Sequence, residues 1–304
     1  MQITELSEVE PRPRRVAIGT FDGVHLGHRR VIAGADTVLT FDPHPVSVIA
    51  PEHTPKLLTP LEDKAALIAE LGVRELVVIR FDREFAARSA EQFVEEVLVG
   101  RLCAQRVSVG ENFRFGNRAR GTPELLAQDD RFETVVAPLL EVDGEIVSSS
   151  HIRSLIAAGE VAQATHFLGR PFEISGRVVA GDQRGRELGF PTANIIPDER
   201  FACPGHGVYV ARALLRCAHE RPGHAPRSYA SAVSIGVRPT FATGRGELIE
   251  AYLLDFAGEI YGEELRLRFL QRLRGERRFA TAAALIEQMH EDVALARELA
   301  AGIP

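Results

Sequence analysis

The sequence predicts a doubly wound α/β domain followed by a small antiparallel β domain that ends in a helix. Three observations carry that prediction. The first half alternates short apolar runs with helical patterns, as right-handed βαβ units do. From about residue 169 onward the chain turns to short strands broken by Gly and Pro, as in small barrels and sandwiches. Residues 281–299 then carry Leu285, Ile286, Met289, Val293 and Leu299 at helical spacing, which suits an amphipathic helix packed on the β domain. The predicted domains are 1–168 and 169–304.

Each element has its own reason. Residues 16–18 form a first short apolar strand, and 38–41 a second, stopped by Pro43 and Pro45. Residues 63–71 place Leu67, Ile68 and Leu71 on one side of a helix. The continuous apolar run 76–79 suits a strand buried on both faces of a parallel sheet. Phe93, Val94, Val97 and Leu98 mark a helix over 90–99, and strands follow at 106–109 and 134–136. A helix is expected to begin at His28, and Gly34 to end it. That connection is cramped, with room for roughly two helical turns. In the second half, strands are expected at 174–179, 207–211, 230–235 and 248–256, with an exposed hairpin loop over 217–227.

Composition bounds the class. A chain of 304 residues can bury two cores, and 45% hydrophobic residues is an ordinary share for a globular protein. Residues 1–15 hold no apolar signal-peptide core, and no segment is long enough to span a membrane. The widely spaced Cys103, Cys203 and Cys217 suit reduced thiols in the cytoplasm better than a disulfide framework or a zinc site. A net charge of −6 argues against general nucleic-acid binding. Small-molecule partners are expected, and a homo-oligomer is left open. Lysine is confined to Lys56 and Lys64, and no GxxxxGK[ST] string occurs, which excludes a P-loop. Any phosphate clamp must use Arg, His, backbone N–H groups or Mg²⁺.

The sharpest motif is GTFDGVHLGH at residues 19–28. A strand enters a Gly-rich turn, where Gly19, Gly23 and Gly27 let backbone N–H groups approach phosphates. His25 and His28 can both donate to a triphosphate as it gains charge. This is how an α/β nucleotidyltransferase builds the place where ATP is cut at its α-phosphorus. FDPHP at 41–45 fixes the direction of His44, either as a rigid turn or as a contact. GENFRFG at 110–116 offers Asn112 and flat Phe faces, or simply a loop. SSSHIR at 148–153 puts hydroxyls, N–H groups and the Arg153 guanidinium at one helix start.

The chemistry of the second half centres on GDQRGRELGFPTAN at 181–194. Gly185 and Gly189 suit a mobile loop over phosphates, and Pro191 fixes its turn. Thr192 and Asn194, two apart, project to one side of an extended chain and offer hard oxygen ligands for Mg²⁺. Period-two alternation sets Glu250 on one face with Leu248, Tyr252 and Leu254. It is either at an exposed edge or placed for catalysis.

Taken in order, these strings resemble the prokaryotic bifunctional riboflavin kinase/FMN adenylyltransferase family, also called FAD synthetases. GTFDGVHLGH, FDPHP, GENFRFG and SSSHIR resemble its adenylyltransferase module. GRPF, RGRELGFPTAN, GVYVA, SIGVRPTF, IEAYLLDF and RFLQRLRGERRF resemble its kinase module. The resemblance implies a Rossmann-like nucleotidyltransferase domain joined to a six-stranded riboflavin-kinase barrel. It implies two Mg²⁺-dependent reactions: riboflavin is phosphorylated to FMN by ATP, and FMN is adenylylated to FAD with release of pyrophosphate. It implies that His25, His28 and Arg153 act catalytically in the second reaction. Gly19, Phe21, Asp22, Gly23, Asn112, Ser149 and Ser150 would line its nucleotide and FMN phosphate sites. It implies that Glu250 is the catalytic carboxylate of the kinase. Gly185, Gly189, Pro191, Thr192 and Asn194 would bind its nucleotide, with Thr192 and Asn194 on the metal. Ser234 stands where the family commonly has Asn, and Ser150 where it has Thr. Two rival readings are a riboflavin kinase with a degenerate first domain and a non-enzymatic flavin-binding regulator. The intact histidines and Arg153 argue against the first, and Glu250 with Thr192 and Asn194 against the second.

Overall fold

Apolar residues alternate between the two faces of the first sheet, so both faces must be covered. Ala17 and Val38 bury against Val31, Ile32 and Ile68, while Val16, Ile18 and Leu39 bury against Phe93, Val97 and Leu98. The computed structural model describes residues 1–181, 188–216, 226–240 and 244–301. Two units, Met1–His151 and Ile152–Pro304, account for the chain.

In the first unit the strands are β1 (Gln2–Glu5), β2 (Arg14–Ile18), β3 (Thr37–Asp42), β4 (Glu75–Arg80), β5 (Ala104–Gly110) and β6 (Glu133–Ala137). They form one parallel sheet in the order β1-β4-β3-β2-β5-β6. The order reverses at β2, so the crevice beyond the carboxyl ends of β2 and β5 is the switch point where such sheets take ligands. The helices are α1 (Leu26–Ile32), α2 (Pro45–Ile49), α3 (Leu61–Ala69), α4 (Arg83–Ala86), α5 (Ala90–Gln92) and α6 (Pro123–Ala127). Ser89 and Gln92 close a capping box at the start of α5, which runs on as a π-helix over Phe93–Arg101. Helix α1 has the two turns its short connection allows, and Gly34 follows it in the left-handed region at φ 76°. It starts at Leu26, not at His28, because the His25 side chain caps it. β1 and a small hairpin, β7 (Glu141–Val142) with β8 (Glu145–Ile146), form where the sequence pattern offers no strand.

Helix α7 (Ser149–Ala158) carries the chain from one unit into the next, and α8 (Val161–Leu168) follows. The second unit is an antiparallel sheet of β9 (Phe172–Arg177), β10 (Ala193–Ile195), β11 (Gly207–Arg216), β12 (Arg227–Thr240), β13 (Gly244–Leu253) and β14 (Glu264–Arg274). Its order is β10-β13-β12-β11-β14-β9. A bridge from Val179, just past β9, to Asn194 of β10 joins the two edges and closes the sheet into a barrel. The Val179 N–H donates to the Asn194 carbonyl at 2.9 Å. The C-terminal helix α9 (Ala282–Ala301) packs on β11 and β12 through Ala296 and Ala300. The sequence expectation divides the chain at 168/169, whereas the compact units divide at 151/152. The intervening α8 packs on β14 and β9, which places it with the barrel.

Candidate active sites

In the first unit, residues 19–24 leave β2 and turn sharply. Phe21, Gly23 and Val24 have φ of 49°, 89° and 43°. Left-handed backbone at two non-glycine residues is strained and needs its surroundings to hold it. Both side chains are buried in the core. The Asp22 carboxylate is buried as well and accepts the N–H groups of Leu58 and Thr59 at 2.9 and 3.3 Å. The hydroxyl of Ser149, in the first turn of α7, donates to the Asp22 carbonyl at 2.9 Å. That bond brings the start of α7 beside the loop. The Ser148 side chain caps this helix by accepting the His151 N–H at 3.2 Å.

The His25 and His28 rings stack with centroids 3.5 Å apart, and the Phe21 edge meets His28 at 5.3 Å. His25 Nδ1 accepts the His28 N–H at 3.2 Å. A Cβ at Gly27 would press on the His25 ring at 3.2 Å, so the ring would have to give by a few tenths of an ångström to admit any other residue. Asn112 lies exposed just past the carboxyl end of β5, the strand beside β2. Gly19, Gly23, His25, His28 and Ser149 therefore share one end of the sheet, with Asn112 at the neighbouring strand. His44 caps α2 by accepting the Val46 N–H at 3.3 Å, which gives FDPHP a structural use.

In the second unit the barrel register sets Asn194 directly opposite Glu250, and Glu250 opposite Ser234. Directly opposed residues of antiparallel strands project to the same face. Glu250 is exposed there, while Ile249 and Ala251 are buried on the other face. Asn194 is only 5% exposed, and its Oδ1 is buried without a hydrogen-bond partner among the described residues. Its Nδ2 donates to the Thr192 carbonyl at 3.3 Å. Phe190 packs edge-on against Tyr252 and against His290 of α9. An uncommitted, buried amide oxygen beside a carboxylate is a hard donor set that fits a divalent cation.

Comparison with known proteins decides the family. Residues 7–151 match the FAD synthetase family and residues 168–300 the riboflavin kinase family. The bifunctional riboflavin kinase/FMN adenylyltransferase of Bacillus subtilis is 38% identical over 91% of this chain and 89% of its own. That of Escherichia coli is 37% identical over 97% and 96%. The chain belongs to the bifunctional riboflavin kinase/FMN adenylyltransferase family. A crystal structure described as a macrolide-efflux protein from Streptococcus pneumoniae superposes with a TM-score of 0.87 at 27% identity, covering 98% of this chain and 99% of that one. No described helix is long and apolar enough to cross a membrane.

Within this riboflavin kinase/FMN adenylyltransferase fold, the expected residues do different jobs. Phe21 and Asp22 are buried and shape the loop. Thr192, Asn194 and Glu250 gather at β10 and β13. Pro191 is exposed next to them, and Gly189 sits at φ 88°. Gly185 lies outside the described residues. Arg153 lies on α7 in the second unit. The serines of SSSHIR read as ordinary helix caps, and Ser148 is the one that caps α7; sequence reasoning missed Lys64, whose ammonium reaches the loop at Thr20. The signal for Lys64 was available: a lysine on the otherwise apolar stripe of α3, beside Ala65 and Ile68.

Proposed function

We propose that this chain makes FAD from riboflavin in two steps, each in its own unit. In the second unit the 5′-hydroxyl of riboflavin holds its proton at neutral pH and needs a base. Glu250 takes that proton as the oxygen attacks the γ-phosphorus of ATP, and ADP leaves. Thr192 and Asn194 would hold Mg²⁺, which neutralises charge on the transferring phosphoryl group when bound. The observation that carries this reading is Asn194, with its uncommitted Oδ1, in register with Glu250.

In the first unit the nucleophile is the phosphate of FMN. It is already anionic, so the site needs donors more than a base. Loop N–H groups, His25 and His28 act as donors to the phosphates while pyrophosphate departs from the α-phosphorus. Asn112, Ser149 and Ser150 serve the nucleotide and FMN phosphate sites. The reading carries a cytoplasmic location, supported by the cysteine usage of the sequence.

Glu250→Gln tests the assignment. Riboflavin with Mg-ATP, followed by chromatography of the flavins, should give FAD from the parent chain and unchanged riboflavin from the variant. The variant should still convert supplied FMN to FAD at close to the parental rate. A folded variant that loses both reactions equally, or neither, would refute it.

A further inference from the structure

Lys64 stands where a lysine is costly. Its residue is 8% exposed, on the buried stripe of α3. Its Nζ donates to the Thr20 carbonyl at 2.9 Å, and the buried Thr40 hydroxyl of β3 donates to the same oxygen at 3.1 Å. Burial pushes the ammonium below its ordinary pKa, against the pull of the Asp22 and Asp42 carboxylates. A buried cation normally earns its place by satisfying another charge or a required acceptor. Here the acceptor belongs to the loop between Gly19 and Val24, whose left-handed residues need an external hold. A loop that receives phosphates must present N–H groups and turn its carbonyl oxygens away, because a carbonyl dipole facing a triphosphate repels it.

We propose that Lys64 is a positioning residue for ATP: with Thr40 it holds the Thr20 carbonyl in the interior, which keeps the loop open to phosphate. This rests on residues 19–28 being the triphosphate loop.

The test measures FMN-to-FAD conversion by the full chain, with ATP and FMN varied separately. Lys64→Met should raise the KM for ATP about tenfold, the cost of one charge-assisted hydrogen bond. The KM for FMN and the riboflavin kinase reaction should stay at parental values. A variant that is merely destabilised loses active enzyme and so kcat, and does not shift one KM selectively. Thr40→Val removes the second, neutral donor and should raise the same KM about threefold; it decides the matter if Lys64→Met fails to fold. His28→Ala serves as the loop control. If His28→Ala impairs FAD formation while the other two variants keep the parental KM for ATP, the role of Lys64 is overturned and the loop reading stands. If all three behave as the parent, both fall.

Discussion

The Nδ1 atom of His25 accepts the His28 N–H at 3.2 Å, and an accepting Nδ1 leaves the ring proton on Nε2. The cap thus selects the tautomer that can donate to a phosphate from the other side of the ring. Asparagine is also a good N-cap, so His25→Asn separates the two roles. The variant should melt close to the parent, yet make FAD from FMN about 10²–10³ times more slowly, as at comparable sites that lose one donor. His25→Ala should lose about 1 kcal/mol more stability, the worth of the cap. Thermal melting and flavin chromatography check both. Sequence spacing makes the histidine pair legible but not this division of labour. Imidazole is outside the usual cap residues, so the pattern points to His28 as the helix start. Asp22 shows the same gap: its motif reads as nucleotide binding, while its carboxylate accepts two N–H groups brought by residues 58 and 59.

Among the elements, α8 has the most direct consequence. It buries Val161, Ala164, Phe167 and Leu168 against barrel strands. Each large apolar side chain that is fully buried contributes roughly 1.5–3 kcal/mol. A fragment of residues 152–304 should therefore fold and phosphorylate riboflavin. A fragment of residues 169–304 should be less stable by several kcal/mol, because β9 and β14 lose their cover. Denaturant melts and kinase activity of the two fragments compare them directly. Equal stability would show that α8 is dispensable. The sequence shows where the composition changes, near Gly169, but not which side the preceding helix packs on. Strands with a long apolar run, such as β4, are legible on their own. β1 and β10, with four and three residues, are strands only because a neighbour pairs with them.

In the whole molecule, a buried ion pair ties the amino ends of three neighbouring strands. Arg14 of β2 donates from Nε to Glu75 of β4 at 2.8 Å, and Thr37 of β3 donates to the same carboxylate at 3.3 Å. The two charged side chains are 1% and 6% exposed. Burial pushes the Glu75 carboxyl up, but hydrogen bonds and charge from Arg14, with Arg12, outweigh it and hold the pKa below the ordinary value. A depressed carboxylate stabilises the fold above its unfolded pKa, about 4.3, and that contribution fades as pH falls through the folded value. Glu75→Gln should cost about 3–5 kcal/mol by leaving Arg14 buried and unpaired. Heating the variant should end FAD formation from FMN well before FMN formation from riboflavin. Simultaneous loss of both would refute a local effect. The seam at Val179 and Asn194 carries the last consequence. Asn194 closes the barrel through its carbonyl; if its amide oxygen also holds nucleotide-bound Mg²⁺, as proposed above, closure and occupancy are linked equilibria. A ligand at a hundred times its Kd would add about 2.7 kcal/mol to the closed form. On that assignment the kinase half is expected to be most open to unfolding and proteolysis when nucleotide is scarce, so that substrate supply would set its lifetime as well as its rate.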